Sequence, residues 1–350
     1  MEYSSENCSC CGEQKDLEYT CDICGNNICS DCANFELDNI ICDNCIGEDY
    51  NDEELNSNAD YSAFRLKLRQ ALPLEEKIRL TNRRIKEWYE YHSGKVYVSF
   101  SGGKDSTVLL HLVRQLYPDV PAVFSNTGLE YPEIVEFVKE TDNVEILRPK
   151  KSFLEVINEY GFPIISKEQS QYIYDARNTK SEKQRDVRIN GNKHGMGKVS
   201  KKWQKLINAP FKISDKCCYH LKKSPFKKYE KESGRYPYIG EMAEESSLRA
   251  QKYQRYGCNA FDCVRPISRP IMFWTEKDIW DYIKLHNIPY SKIYDMGYTR
   301  TGCIFCGYGC HLEKPNKFQQ LKITHPKLYD YCMNKLGMAE VLDYIGVDYK

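Results

Sequence analysis

No apolar run in these 350 residues reaches the 18 or so needed to cross a bilayer. The start of the chain also has no apolar stretch of the signal-peptide kind. The expectation is a soluble, cytoplasmic protein with no membrane partner. Basic residues are nearly missing from the first sixty positions, where Lys15 stands alone against 16 acidic side chains. That stretch offers little to a nucleic-acid backbone. A net charge of zero conceals the opposite imbalance elsewhere, since residues 61–350 hold 49 basic and 34 acidic side chains. Such a body suits an anionic partner, a nucleotide or a nucleic acid. The G-x-x-x-x-G-K-[ST] spacing of the Walker A loop is absent too, which excludes a P-loop NTPase of that kind. Disulfides are not expected in a cytoplasmic chain, so its 17 cysteines point to metal or redox chemistry.

Residues 1–46 are rich in cysteine and too poor in large apolar side chains for a core of their own. The spacing is Cys8-x2-Cys11-x9-Cys21-x2-Cys24-x4-Cys29-x2-Cys32-x9-Cys42-x2-Cys45. These eight thiolates are the number that two tetrahedral Zn²⁺ ions need. The short gap between the second and third pairs favours a cross-brace. One ion would take Cys8, Cys11, Cys29 and Cys32, and the other Cys21, Cys24, Cys42 and Cys45. Pairing in sequence order is the alternative. Metal binding would then supply most of the folding energy, about 10 kcal/mol per site. The arrangement resembles FYVE- and RING-type zinc modules without their usual histidine or basic signature, and a structural or protein-docking role is expected. Residues 47–60 are acidic and polar and read as a linker.

Residues 61–93 have a helical pattern broken near Pro73. Strand and helix patterns then alternate. Val96–Phe100, Ala122–Ser125 and Val144–Leu147 read as strands, and 105–117, 131–140 and 152–160 as helices. The alternation predicts an α/β fold, a parallel twisted sheet with flanking helices. Ligands of such sheets bind beyond the strands' carboxyl ends, where Ser101-Gly-Gly-Lys-Asp-Ser106 falls. Strand, Gly-rich turn and helix N-terminus together make a phosphate cradle. The glycines admit the anion to the backbone, Lys104 adds a compact charge, and Ser101 and Ser106 add hydroxyls. Residues 177–205 hold ten Lys or Arg against Glu182 and Asp186. Gly191, Gly195 and Gly197 are expected to break any helix there, leaving a mobile basic loop, either solvated or in contact with a phosphate backbone. Trp203 reads as an anchor for the next element or a platform for a base.

The Ser101–Ser106 stretch resembles the PP-loop of the ATP-pyrophosphatase superfamily, which holds the pyrophosphate of ATP during adenylation. Further motifs are Ser125-Asn-Thr-Gly-Leu-Glu-Tyr-Pro-Glu133, Ile239-Gly-Glu-Met-Ala-Glu-Glu-Ser-Ser-Leu-Arg249, Phe273-Trp-Thr-Glu-Lys-Asp-Ile-Trp-Asp-Tyr-Ile283, Cys217-Cys218 and Cys303-Ile-Phe-Cys306. Together they resemble the phosphoadenosine phosphosulfate (PAPS) reductase family over roughly residues 90–335. The resemblance implies an adenine nucleotide alpha hydrolase-like domain over 94–300, with 177–205 as a basic insertion. A C-x2-C segment and helical C-terminal region would fill 301–350.

It also implies that Ser101, Gly102, Gly103, Lys104, Asp105 and Ser106 bind phosphates, with Lys104 and Asp105 catalytic and Mg²⁺ beside them. Asn126, Thr127 and Gly128, with Glu130, would line the nucleotide pocket, and Gly240, Glu245, Ser246 and Arg249 would close its other side. An ion pair is the plainer reading of Arg249. In the adenylylsulfate (APS) reductase branch a Cys-Cys pair and a later C-x2-C bind a 4Fe–4S cluster. The ligands carried over are Cys217, Cys218, Cys303 and Cys306, with zinc as the alternative occupant and Cys310 as a substitute ligand. Cys258, Cys263 and Cys332 read as packing.

Three departures from the family pattern bear on function. Sulfonucleotide reductases usually have a degraded phosphate loop, whereas this one is intact. Their sulfate-gripping arginine is Met242 here. Their Glu-Cys-Gly-Leu-His tail has no counterpart in Asp343–Lys350. The combination resembles the ATP-using branch, which includes DNA phosphorothioation and tRNA thiolation enzymes. The expectation is an ATP-pyrophosphatase-type adenylating sulfurtransferase with a nucleic-acid or nucleotide acceptor and a possible protein partner at the zinc module. Two alternatives stay open: a PAPS/APS reductase, with Cys310 or Cys332 as nucleophile, and a non-catalytic, metal-bearing, nucleotide-sensing adaptor.

Overall fold

The structure is a computed structural model. It describes residues 63–350 apart from Asp262 and Val264, and of the first 62 only the backbone of a few short strands and of the start of the first helix. The side chains of Cys8, Cys11, Cys21, Cys24, Cys29, Cys32, Cys42 and Cys45, and with them the zinc assignment, lie outside the described residues. So does the acidic stretch before Ala59.

The fold is a mostly parallel β-sheet with flanking helices and a helical C-terminal region, and the chain divides into two compact units. The first comprises Met1–Val98, Val108–Val120 and Tyr236–Pro289. Helices Ala59–Ala71 and Leu74–Tyr91 flank Pro73, which has no N–H to continue the first helix and pre-sets the start of the second. Strand order in this unit is Asn259–Ala260, Ile267–Ser268, Tyr236–Ile239 and Val96–Ser99. Tyr238 pairs in parallel with Ser268, and the short Asn259–Ala260 strand pairs antiparallel with Ile267–Ser268. Trp88, Trp274, Tyr97, Tyr238 and Tyr282 are fully buried. Their polar ends are largely met: Trp274 Nε1 donates to Thr81 Oγ1 at 2.9 Å and the Tyr238 hydroxyl to the Ile85 carbonyl at 2.7 Å. Buried Lys77 meets Asp278 Oδ2 at 2.6 Å. Removing either partner would strand a buried charge at a cost of about 3–5 kcal/mol. Asp278 also closes a capping box with Thr275, so the Trp-Thr-Glu motif starts the helix Glu276–His286.

The second unit comprises Ser99–Thr107, Pro121–Arg235 and Tyr290–Lys350. Ala122–Ser125 and Val144–Leu147 pair in parallel, with Ser125 opposite Leu147. The first is wholly buried and reads as a continuous apolar run, whereas the second is partly exposed. The Phe100 amide donates to the Val123 carbonyl at 2.9 Å, which fixes the approach to the phosphate loop. Helices Pro132–Glu140 and Phe153–Tyr160 follow, the second opened by a Ser152–Glu155 capping box. Ile164–Ile165 pairs in parallel with Gly307–Tyr308, bringing the later C-x2-C segment to the middle of the unit. The C-terminal region holds Lys317–Thr324, Pro326–Asp330 and Met338–Ile345. No helix among the described residues is long and apolar enough to cross a membrane.

The basic segment 177–205 corrects one expectation. It holds the α-helix Glu182–Asn190 and enters a 3-10 helix, Lys201–Asn208. Ser181 caps the α-helix, and Gly191 ends it rather than preventing it. Arg188 makes the difference. Its guanidinium bonds Asp175 Oδ2 at 2.9 and 3.0 Å and lies 4.2 Å from the Tyr172 ring centroid. Trp203 is 6% exposed and packs edge-on against His311, so it anchors the chain and is not an open platform for a base.

Candidate nucleotide and thiol site

The phosphate loop leaves the Val96–Ser99 strand and enters the helix Lys104–Leu116. Gly102 sits at φ +71°, where a side chain is strained. A Cβ there would also lie 2.9 Å from methyl carbons of Ile134 and Val138. Only glycine fits both demands. The loop is braced from inside. Ser106 Oγ accepts from the Ser101 amide at 3.2 Å and donates to the Gly103 carbonyl at 2.9 Å, and Thr107 Oγ1 donates to the same carbonyl at 3.0 Å. The Lys104 amide donates to the Tyr294 hydroxyl at 2.8 Å. Its Nζ bonds the Thr299 carbonyl at 2.9 Å and stands 3.8 Å from Asp105 Oδ1. The lysine is therefore packed against protein, only 5% exposed, at the first turn of the helix.

A cavity of about 150 Å³ adjoins the loop within the same unit. Ser101, Glu130, Tyr131, Lys222 and Thr301 are among its walls. The volume falls below the roughly 300 Å³ at which whole-ligand pockets begin, so it can take only part of a nucleotide. Of the residues assigned to phosphates and nucleotide, it gathers Ser101 and Glu130. Asn126, Thr127 and Gly128 lie just beyond Ser125 in a turn held by Glu130. That carboxylate accepts from the Thr127 amide at 2.9 Å and its hydroxyl at 2.7 Å, and from the Leu129 amide at 3.3 Å.

Four thiols from two segments meet electrostatically in this unit. Cys217 faces Cys218, Cys303 and Cys306, and Cys218 also acts on Cys306. Cys217 donates to Cys218 across 4.0 Å, which raises its own pKa and lowers that of Cys218. Lys167 and Lys222 add to the second effect. Lys222 is in turn raised, first by Cys303 and also by Glu130. Lys317 Nζ bonds the Cys303 carbonyl at 3.0 Å. Among the described residues no three or more His, Cys, Asp or Glu converge closely enough to hold a metal ion as they stand. The donor chemistry, four half-buried or buried thiols with lysines nearby, fits an iron–sulfur cluster or zinc. Burial raises Cys306 as well, and it pushes the Cys310 and Cys332 thiols up to about 11 and about 12, so that these two stay protonated at neutral pH.

Gly240, Glu245, Ser246 and Arg249 belong to the first unit. Ser246 caps the helix Ser247–Tyr256, and Arg249 pairs with Glu245, one turn away. Met242 is buried, and Glu245 accepts from its amide at 3.1 Å.

The phosphoadenosine phosphosulfate reductase domain matches residues 95–175 and 164–308, well over half the chain. The chain belongs to the PAPS reductase family. An uncharacterized protein of Methanocaldococcus jannaschii is 28% identical over 72% of this chain, which spans only 43% of that protein's length. The adenosine 5′-phosphosulfate reductase of Staphylococcus haemolyticus is 27% identical over 63% of this chain and 74% of its own. The PAPS reductase of Candida auris in its phosphate complex, 16% identical, overlays 70% of this chain and 95% of its own at a TM-score of 0.38. That overlay is too loose to bear an argument.

Within this PAPS reductase-family chain, the sequence reading passes over Lys222 and Tyr294. Lys222 lies four residues after Cys218, one helical turn on, and links the cavity wall to the thiols. That spacing was the available signal. For Tyr294, 190 residues from its partner Lys104, the sequence holds no local signal.

Proposed function

We propose that this chain binds ATP at Ser101–Ser106 and adenylates an acceptor oxygen with release of pyrophosphate, the first half of a sulfur transfer to a nucleic-acid or nucleotide substrate. The observation that supports this most is the complete loop. Its glycine conformation is enforced by the contacts around Gly102, and Lys104 lies at the helix N-terminus. A loop kept in that form suits a ligand with a pyrophosphate group, which sulfonucleotides lack.

In the proposed reaction the acceptor oxygen attacks the α-phosphorus, and the bond from that phosphorus to the bridging oxygen breaks. The electron pair leaves with pyrophosphate, whose growing charge Lys104 offsets. For this, Nζ exchanges the Thr299 carbonyl for phosphate oxygens. Ser101, Gly102, Gly103 and Ser106 hold the phosphates through amide and hydroxyl donors. Asp105 would hold Mg²⁺, which one or two carboxylates and substrate phosphates ordinarily bind. Asn126, Thr127, Gly128, Gly240, Glu245, Ser246 and Arg249 keep the nucleotide-binding role that the family resemblance implies. Cys217, Cys218, Cys303 and Cys306 would hold a 4Fe–4S cluster, which would supply a place to hold sulfur; zinc is the alternative occupant. At the N-terminus, two Zn²⁺ would shape a protein-docking module.

A second reading, reduction of a sulfonucleotide, is favoured by the likeness to the staphylococcal APS reductase. It needs a nucleophilic thiolate. With pKa values of about 11 and about 12 set by burial, Cys310 and Cys332 supply little.

Anaerobically purified protein incubated with Mg-ATP and small RNA, DNA or nucleotide acceptors should release pyrophosphate. Parallel incubations with APS or PAPS plus thioredoxin should release no sulfite. Sulfite without pyrophosphate under every acceptor condition would overturn the first reading in favour of the second.

A further inference from the structure

The basic segment of the second unit uses its charges differently from other parts of the described surface. Residues 177–205 hold ten Lys or Arg. Among the described residues, Arg188 alone of these ten pairs with a carboxylate, that of Asp175. Elsewhere opposite charges sit side by side, as in Arg79–Glu76, Lys228–Glu232 and Lys277–Asp281. A solvated surface ordinarily intersperses the two signs. Here, even counting Glu182, Asp186 and Asp175 against the ten, most of the positive charge stays unbalanced.

Arginines and lysines divide the work. The arginines brace the fold: Arg177 Nη1 donates to the Phe211 carbonyl at 2.7 Å and Arg185 Nη2 to the Thr179 carbonyl at 2.6 Å. Lys180, Lys183, Lys193, Lys198 and Lys201 are exposed, and their side chains have no partner among the described residues. Backbone and side-chain bonds hold their platform together. The Val199 amide donates to the Arg188 carbonyl at 2.8 Å, the Asn192 amide to the Met196 carbonyl at 2.8 Å, and Gln204 Nε2 to the Ile189 carbonyl at 3.4 Å. The end of the helix Glu182–Asn190, the turn after it and the 3-10 helix Lys201–Asn208 thus form one ordered surface that carries Lys193, Lys198 and Lys201.

A row of unpaired ammonium groups suits a partner that repeats one negative charge along its length, because each contact releases a counterion. Nucleic-acid interfaces are polar and strongly positive in this way. A membrane surface would need a helix with a wide apolar face, but Glu182–Asn190 has only Val187 and Ile189 as apolar residues. A protein partner would need an apolar core to its interface, which these lysines do not supply. We propose that the surface of Lys193, Lys198 and Lys201 binds the phosphate backbone of a nucleic-acid strand. This deepens the proposed function, and rests on it only in making the strand the acceptor; binding itself requires no ATP.

Fluorescence anisotropy on the full chain, without ATP, tests it. The probes are short labelled single strands, one DNA and one RNA of the same sequence, titrated at several salt concentrations between roughly 50 and 200 mM. At least one strand should bind, with an affinity that falls steeply with salt. The triple variant Lys193→Gln/Lys198→Gln/Lys201→Gln removes no bond of the fold. It should weaken binding about tenfold or more at low salt and reduce the slope of log K against log salt by about 2, or about 0.7 per lost lysine. Lys67→Gln/Lys86→Gln/Lys284→Gln makes the same change in net charge at exposed lysines of the first unit and should leave the slope as in the parent. Should the triple variant melt early, Lys198→Gln alone should take about a third of the slope change. Whichever strand binds more tightly names the class of acceptor. Because ATP is absent, a failure of adenylation leaves the result standing, and a failure to bind strands leaves the phosphate loop untouched. No strand binding at low salt, an unchanged slope in the folded variant, equal losses in the first-unit control, or binding to phosphatidylserine vesicles in place of strands would overturn the proposal.

Discussion

The phosphate loop and the thiol face belong to the same unit but hold charge in opposite ways. At the loop the positive end is built into the backbone. Gly102 is locked by φ and by Ile134 and Val138, the first helical turn follows at once, and Lys104 has carbonyl and hydroxyl neighbours around it. At the thiol face the negative charge is conditional. The Cys217–Cys218 hydrogen bond raises the pKa of Cys217 and lowers that of Cys218, and Lys222 is raised first by Cys303. The loop should therefore respond to substitution and hardly to redox conditions, whereas the thiol face should respond to oxidation and metal supply. Lys222 touches both, since it lines the cavity by Ser101 and is drawn toward Cys303.

The comparison can be broken most directly at Lys104. Lys104→Ala removes the one positive side chain in the loop and should slow pyrophosphate release by about 10²–10³, while iron content after anaerobic purification stays as in the parent. A joint loss of iron would mean that loop and thiols are not separable. Gly102→Ala comes next. It adds left-handed strain of roughly 1–2 kcal/mol to the 2.9 Å contacts with Ile134 and Val138. Urea unfolding should place the total near 2–3 kcal/mol. The control is Gly195→Ala, at φ +73° with nothing within 4 Å of the added carbon, which should lose only the strain. Equal losses at the two glycines would remove the case for a sterically enforced loop. The smallest effect is expected at Cys310. This thiol is 1% exposed and donates to the Gly307 carbonyl at 3.1 Å. Cys310→Ala should cost about 1 kcal/mol in stability and leave turnover and iron content unchanged. A large fall in turnover would restore Cys310 as a nucleophile or ligand.

Legibility in the sequence follows the range of the interactions. The loop is readable because its strand, glycines, lysine and helix start fall in one short stretch. The strands Ala122–Ser125 and Val144–Leu147 are readable because each is an apolar or alternating run between turns. Long-range partners leave weaker marks. The helix Glu182–Asn190 looks like a loop when its glycines and charges are weighed alone, since the Asp175 and Tyr172 that hold Arg188 lie on the preceding helix. Tyr294 reaches the loop from 190 residues further along the chain. Cysteine spacing gives ligand chemistry but not metal identity, because iron–sulfur clusters and zinc accept the same four thiols.

Calorimetric titration of the anaerobically prepared protein with Mg-ATP, and separately with APS, tests the central claim most directly. The account predicts that Mg-ATP binds, that Lys104→Ala weakens it by at least about tenfold, and that APS binds more weakly than ATP to the parent protein. Tight APS binding that Lys104→Ala leaves untouched, with no detectable ATP binding, would contradict it.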